Sequence, residues 1–182
     1  MDTIIEYIAS MFSYLIIAMP TFVVIRFLWL NLRNERITPL HEAGVVLFFS
    51  FIIGLFALTF DQDASDQQTA VNSVPFKVFV DTFNAIQDAG FWEPFTINLL
   101  GNIIVFMPIG LLLPLLWGRF NAKRAILTGF LISLFIESTQ LALDRSSDID
   151  DLILNTFGAL IGYGIYRCIP AVTAKRFKQF SR

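Results

Sequence analysis

Polar and ionisable side chains recur in the apolar stretches of the C-terminal half of the sequence, at spacings that place them on single helix faces. Asn98 and Asn102 are four residues apart, and Ser133, Glu137 and Gln140 follow one another at intervals of four and three. Residues three or four apart share one face of an α-helix. Carboxylates and amides in this arrangement could hold a hard divalent cation, bind a cationic or sugar-bearing ligand, or carry a proton.

A third polar face follows near the C-terminus, again at intervals of three and four. Its residues are Asp148, Asp151, Asn155, Gly158 and Gly162. The preceding link supplies Arg145 as a counter-charge for Glu137 or for one of the aspartates. Ser147, with Asp150 three residues later, predicts a capping box for the helix that follows.

The elements that must position these residues are membrane-spanning helices. The chain of 182 residues is 55% hydrophobic and 15% charged, with a mean hydropathy of +0.66, whereas soluble domains carry about 25% charged residues. A spanning helix needs about 20 mostly apolar residues. Five stretches qualify, near 8–30, 43–60, 95–117, 125–143 and 151–169. They predict an all-α, polytopic transmembrane helix bundle of about five spans.

Basic residues orient this bundle, because cytoplasmic links are enriched in Lys and Arg. They concentrate in alternate hydrophilic segments, namely Arg33 and Arg36, then Arg119, Lys123 and Arg124, then Lys175, Arg176, Lys178 and Arg182. The pattern predicts an N-terminus outside and a C-terminus inside. At about 1.5 Å per residue, Asn102, Glu137 and Asn155 then lie roughly 6–10 Å below the outer helix ends. Three helices would therefore contribute to one site that opens outward.

Three further features of the sequence predict structure rather than chemistry: the segment 61–94, the glycines and proline of the apolar stretches, and the single histidine. Apolar residues at helical spacing predict an amphipathic helix near 76–90 in the outer interface, acting either as a lid or simply as a return to the membrane. Close helix packing is predicted at Pro108, Gly110, Gly158 and Gly162. The single histidine, His41, is expected at the cytoplasmic surface.

Several classes of chemistry are disfavoured by composition. One His and one Cys, Cys168, cannot supply a histidine-based triad or a histidine-rich metal site. The sequence has no phosphate-binding glycine loop and no basic nucleic-acid surface. No cofactor is predicted, although the carboxylates leave a divalent cation open.

Four motifs in order resemble the VanZ-like family. They are Asn72-Ser-Val-Pro-Phe-Lys, then Gly101-Asn102-x-x-x-Phe106-x-Pro108-x-Gly110-x-Leu-x-Pro114, then Ser133-x-x-x-Glu137-x-x-Gln140, then Arg145-x-x-Asp148-x-Asp150-Asp151-x-x-x-Asn155-x-x-Gly158-x-x-x-Gly162. The resemblance implies a multi-pass protein of the bacterial cytoplasmic membrane, and an association with low-level resistance to the glycopeptide teicoplanin. It divides the chain into a variable N-terminal span and link (1–42), a VanZ-like membrane domain (43–170) and a basic tail (171–182).

Three hypotheses follow for the polar site. In the first, the protein binds or translocates a lipid-linked envelope precursor or a lipoglycopeptide, with Glu137 and Arg145 as the charged centre. In the second, Glu137 or Asp151 is the general base of an intramembrane enzyme. In the third, the polar layer only holds helices together, at about 1 kcal/mol or less per contact. The partners expected are the lipid bilayer, such a ligand and a second copy of the chain, and not nucleic acid.

Overall fold

The computed structural model describes residues 2–33, 38–60, 71–72, 74–77, 80, 83–84, 87, 95–143 and 147–177. In chain order they form helices and strands as follows: α1 (Asp2–Arg33), α2 (Pro39–Phe60), β1 (Val71–Asn72), α3 (Phe95–Leu116), α4 (Ala122–Ala142), β2 (Ser147–Asp148), α5 (Ile149–Cys168) and α6 (Ala171–Phe177). The prediction of an all-α polytopic bundle is confirmed.

Four of the described helices contain a segment long and apolar enough to cross a membrane. The segments are Ser13–Leu32, Pro39–Ala57, Leu99–Leu116 and Ala122–Ala142. The number rises to five if α5 and α6 together form one broken span. The first turn of α5 carries two acidic residues, Asp150 and Asp151, so that end of the helix is polar. The orientation with the N-terminus outside stays a prediction from the basic residues.

The predicted interfacial helix near 76–90 lies largely outside the described residues. The positions described within it as helical are Lys77, Val80, Phe83, Asn84 and Gln87. The amide of Val80 donates to the carbonyl of Phe76 at 3.3 Å. Val80 and Phe83 are exposed, and the location of this helix in the outer interface stays a prediction.

The chain divides into two compact units. One comprises Met1–Asp63, Leu115–Gly118 and Ile169–Arg182, and the other comprises Ala64–Pro114 and Arg119–Cys168. The first therefore contains α1, α2 and α6. The second contains β1, β2, α4, α5 and most of α3.

In the first unit, the contacts of α1 with α2 include an aromatic pair and an ion pair. The rings of Phe22 and Phe49 stack with centroids 3.8 Å apart. Arg26 donates from Nε and Nη2 to the two carboxylate oxygens of Glu42, both at 2.9 Å. Two parallel hydrogen bonds fix the guanidinium and carboxylate planes relative to one another. An arginine within the predicted first span is thereby neutralised.

We expect Arg26→Gln and Glu42→Gln each to lower the free energy of unfolding by about 2 kcal/mol, because each leaves a desolvated charge without its partner. The double variant should cost little more than either single change, with a coupling energy of about 1–2 kcal/mol. Unfolding in mixed micelles, followed by circular dichroism, measures the cycle. Strictly additive losses would contradict a direct ion pair.

His41 corrects a prediction in the same unit. It was expected at the cytoplasmic surface, but its side chain is fully buried. Its Nδ1 lies 2.7 Å from the carbonyl oxygen of Phe177 at the end of α6, and its ring meets that of Trp117 edge-on. The prediction was wrong because α6 packs on the start of α2 and covers His41, which lies in the first turn of that helix.

In the second unit, α5 lies directly against α3 because both helices carry glycine at the contact. A Cβ atom at Gly158 would overlap the carbonyl group of Ile103, and one at Gly162 would overlap that of Met107. Gly110 of α3 makes the reciprocal approach, since its Cβ would overlap the carbonyl of Ala159. Small residues of this kind allow two helix backbones to touch. The contact fixes the first turn of α5 beside α3.

Candidate functional site

Glu137 lies at the centre of the polar cluster in the second unit. Its side chain projects from the penultimate turn of α4 and is only 7% exposed. Oε2 accepts hydrogen bonds from Ser147 Oγ at 2.9 Å and from the amide of Asp148 at 3.0 Å. Strand β2 is therefore anchored on a carboxylate from the preceding helix.

Asp148 links β2 to β1 and to the start of α5. Its Oδ1 accepts from Asn72 Nδ2 and from the amide of Asp150, both at 2.9 Å. The strands run parallel, with Val71 opposite Ser147 and Asn72 opposite Asp148. The predicted capping box was wrong in its first member. The hydroxyl of Ser147 is bonded to Glu137, so Asp148 supplies the oxygen that caps α5.

Asp150 binds the backbone just after β1. Its side chain is fully buried, and its Oδ1 accepts from the amide of Phe76. Phe76 has a positive φ of 66°, a left-handed conformation that costs a bulky residue about 1–2 kcal/mol. The hydrogen bond to Asp150 offsets that cost and holds Phe76, at the end of the segment 71–76, against α5.

Two further polar pairs join neighbouring helices. Asn102 Nδ2 on α3 donates to Asp151 Oδ1 on α5. One turn further along α5, Asn155 Nδ2 donates to Ser133 Oγ on α4 at 2.9 Å. One side-chain hydrogen bond from an asparagine thus joins α5 to α3, and another joins it to α4.

Only some of the predicted site residues take part in the polar cluster. Glu137, Asp148, Asn102, Asp151 and Asn155 lie in the contacts given above. Gln140 is half-buried on α4, and no contact joins it to the cluster within the described part of the chain. Arg145 and the side chain of Asn98 lie outside the described residues, so the proposed pairing of Arg145 with Glu137 stays a prediction.

Sequence reasoning missed Asn72, Ser147 and Asp150 as site residues. The signal for Asn72 was present, since it begins the first of the four family motifs. Its role depends on the pairing of β1 with β2, which joins segments 76 residues apart at the bond between Asn72 and Asp148. Two-residue strands have no periodicity for a sequence to reveal.

A groove of about 280 Å³ opens beside Glu137. Its polar end is formed by four residues that hydrogen bonds join, Asn72, Glu137, Ser147 and Asp148. Ser138 also lines it, but its hydroxyl donates to the carbonyl of Leu134. Its remaining wall is apolar and comprises Leu134, Leu141, Ile149 and Leu152. Three of these apolar residues are exposed, at 41% for Leu134, 48% for Leu141 and 36% for Ile149. The groove therefore joins a hydrogen-bonding end to a surface of lipid-compatible side chains.

The cluster is strongly acidic. A charge on Asp151 is repelled by those of Glu137, Asp148 and Asp150. Among the described residues, no group of three or more His, Cys, Asp or Glu side chains has a geometry that could hold a metal ion. The arrangement favours donors of hydrogen bonds and positive charge as ligands, because ionised carboxylates only accept.

Comparison with known families gives a match over most of this chain. A family model described as VanZ/LLP1 matches residues 43–170, and the predicted resemblance is thereby confirmed. Comparisons with curated proteins and with solved structures gave no match.

Proposed function

Because the chain belongs to the VanZ/LLP1 family, we propose that it acts in the bacterial cytoplasmic membrane by binding or translocating an amphipathic molecule of the cell envelope. The class includes lipid-linked envelope precursors and lipoglycopeptide antibiotics. Family membership and the apolar helices support a multi-pass membrane protein associated with teicoplanin resistance. The bacterial membrane, the ligand class and the binding step are our proposal.

The single observation that carries the proposal is the two-ended groove beside Glu137. A lipid-linked ligand has a hydrogen-bonding head and a hydrocarbon tail, and the groove offers carboxylate, amide and hydroxyl groups at one end and leucines along its wall. Ligand sites commonly combine apolar walls with a few polar groups that fix orientation. Polar groups within a membrane segment are rare and mark such sites.

The remaining polar pairs favour a structural role for part of the cluster. The bond from Asn102 to Asp151 and the bond from Asn155 to Ser133 are made between helices, as expected of groups that hold a bundle together. We therefore assign these four residues to support of α5. Glu137 and Asp148 are assigned to the ligand, because both line the groove.

Glu137→Gln should abolish most of any teicoplanin protection that the wild-type chain gives a sensitive host. The amide keeps an oxygen for Ser147 but loses the charge at the polar end of the groove. A tenfold loss of ligand affinity corresponds to about 1.4 kcal/mol. The measurement is the inhibitory concentration of teicoplanin at matched membrane levels of protein.

Glu42→Gln is the matched control, since it makes the same chemical change at a half-buried carboxylate in the other unit. It should retain protection even though it weakens the contact between α1 and α2. If protection survives Glu137→Gln, the groove is excluded as the site of action. The same conclusion follows if Glu137→Gln and Glu42→Gln remove protection equally.

A further inference from the structure

Two carboxylates, those of Glu137 and Asp148, line the groove, and none of its described lining residues is basic. Glu137, Asp148, Asp150 and Asp151 provide four carboxylates within one cluster. The nearest basic residues in the sequence are Arg145, in the link before β2, and Lys77, beside Phe76. A charged group in an apolar environment is costly unless it is paired.

Glu137 has a carboxylate oxygen available for such a partner. Both of its hydrogen bonds end on Oε2, and no described residue donates to Oε1. The side chain is more than nine-tenths buried, yet it lines the groove. Asp148 lies beside it on the same wall, and its hydrogen bonds from side chain and backbone end on Oδ1. Within the described part of the chain, two adjacent carboxylates therefore each have an oxygen that accepts no hydrogen bond.

We propose that the groove binds an amphiphile whose head group carries a primary ammonium. The ammonium donates hydrogen bonds to Glu137 and Asp148, and the hydrocarbon chain lies along Leu134 and Leu141. The proposal rests on the proposed function, because it specifies the head group of the same ligand. An ammonium has three donors and no acceptor, which matches a polar end rich in acceptors. The exposed leucines indicate that the ligand enters sideways from the bilayer.

The test uses the full chain in nanodiscs of phosphatidylcholine, a lipid whose head group has no N–H donor. Dodecylamine, dodecanol and dodecyl maltoside are titrated by calorimetry, with empty nanodiscs subtracted. Dodecylamine should bind at least about tenfold more tightly than dodecanol, which is about 1.4 kcal/mol. Glu137→Gln should remove that preference, so that dodecylamine binds no more tightly than dodecanol.

Occupancy of the groove is tested separately with a pair of tryptophan substitutions. Leu134→Trp fills the apolar wall and should weaken all three amphiphiles. Leu131→Trp changes another exposed leucine of α4, which does not line the groove, and should weaken none.

The outcomes separate the two proposals. If Leu134→Trp weakens dodecanol and dodecyl maltoside but dodecylamine shows no preference, the ammonium proposal is overturned and the proposed function stands. If dodecylamine binds equally to the wild type and to Glu137→Gln, the ammonium proposal is also overturned. If no amphiphile responds to Leu134→Trp, both proposals fail.

Discussion

Replacing Gly158 with alanine is expected to lower the free energy of unfolding by about 3 kcal/mol, at the upper end of the usual cost of overpacking. The new Cβ would overlap the backbone carbonyl of Ile103. Because the obstacle is backbone rather than the end of a flexible side chain, α3 and α5 must separate along their contact. Unfolding in mixed micelles, followed by circular dichroism, measures the loss.

Gly164→Ala is the matched control on the same helix. No atom outside its own turn lies within 4 Å of the position of its Cβ. Alanine there should be neutral or should stabilise α5 by up to about 1 kcal/mol, because glycine is a poor helix former. Equal effects of the two substitutions would mean that α3 and α5 do not touch at Gly158.

The glycine contact and the polar cluster depend on one another. Asn102 lies one residue before Ile103, whose carbonyl touches Gly158, and Asp151 lies two turns before Gly158 on α5. Separation of the two backbones would therefore stretch the bond from Asn102 to Asp151. The close approach made by small residues is what allows a short amide side chain to reach a carboxylate on the facing helix.

The spans were predictable from sequence because runs of about 20 apolar residues have few soluble alternatives. Gly158 and Gly162 also indicated a close helix contact, since they share a face. The sequence did not identify Ile103 and Met107 as the groups contacted, because any helix of the bundle could have filled that position. The spacing of residues in a sequence indicates which face of a helix is packed, but it does not indicate which helix packs there.

The part of the candidate site that lies on helix faces was predictable from sequence. The part that depends on contacts between distant segments of the chain was not. Glu137, Asp151 and Asn155 stand out by spacing. Asn72 and Ser147 reach the cluster only because β1 pairs with β2, a contact between distant segments. His41 shows the same limit, since its burial results from packing by a helix that lies more than 100 residues later in the chain.

Asp150→Ala is expected to release the segment 71–76 from α5. The substitution removes the acceptor for the amide of Phe76, which already has the unfavourable φ of 66°. Loss of a buried hydrogen bond to a charged group, at about 3 kcal/mol, corresponds to a roughly 100-fold larger open population. Hydrogen exchange should therefore accelerate by that factor at the amides of Val74 and Phe76.

Asp150→Asn distinguishes the contribution of the hydrogen bond from that of the negative charge. Its amide oxygen can still accept from Phe76, in a neutral bond worth about 1 kcal/mol. About 2 kcal/mol is then lost, so exchange should accelerate by about 30-fold, which is less than in Asp150→Ala. Unchanged exchange in Asp150→Ala would show that Asp150 does not hold the segment. Since Asn72 forms part of the groove, release of the segment should also open its polar end, and Asp150→Ala should weaken every amphiphile that Leu134→Trp weakens.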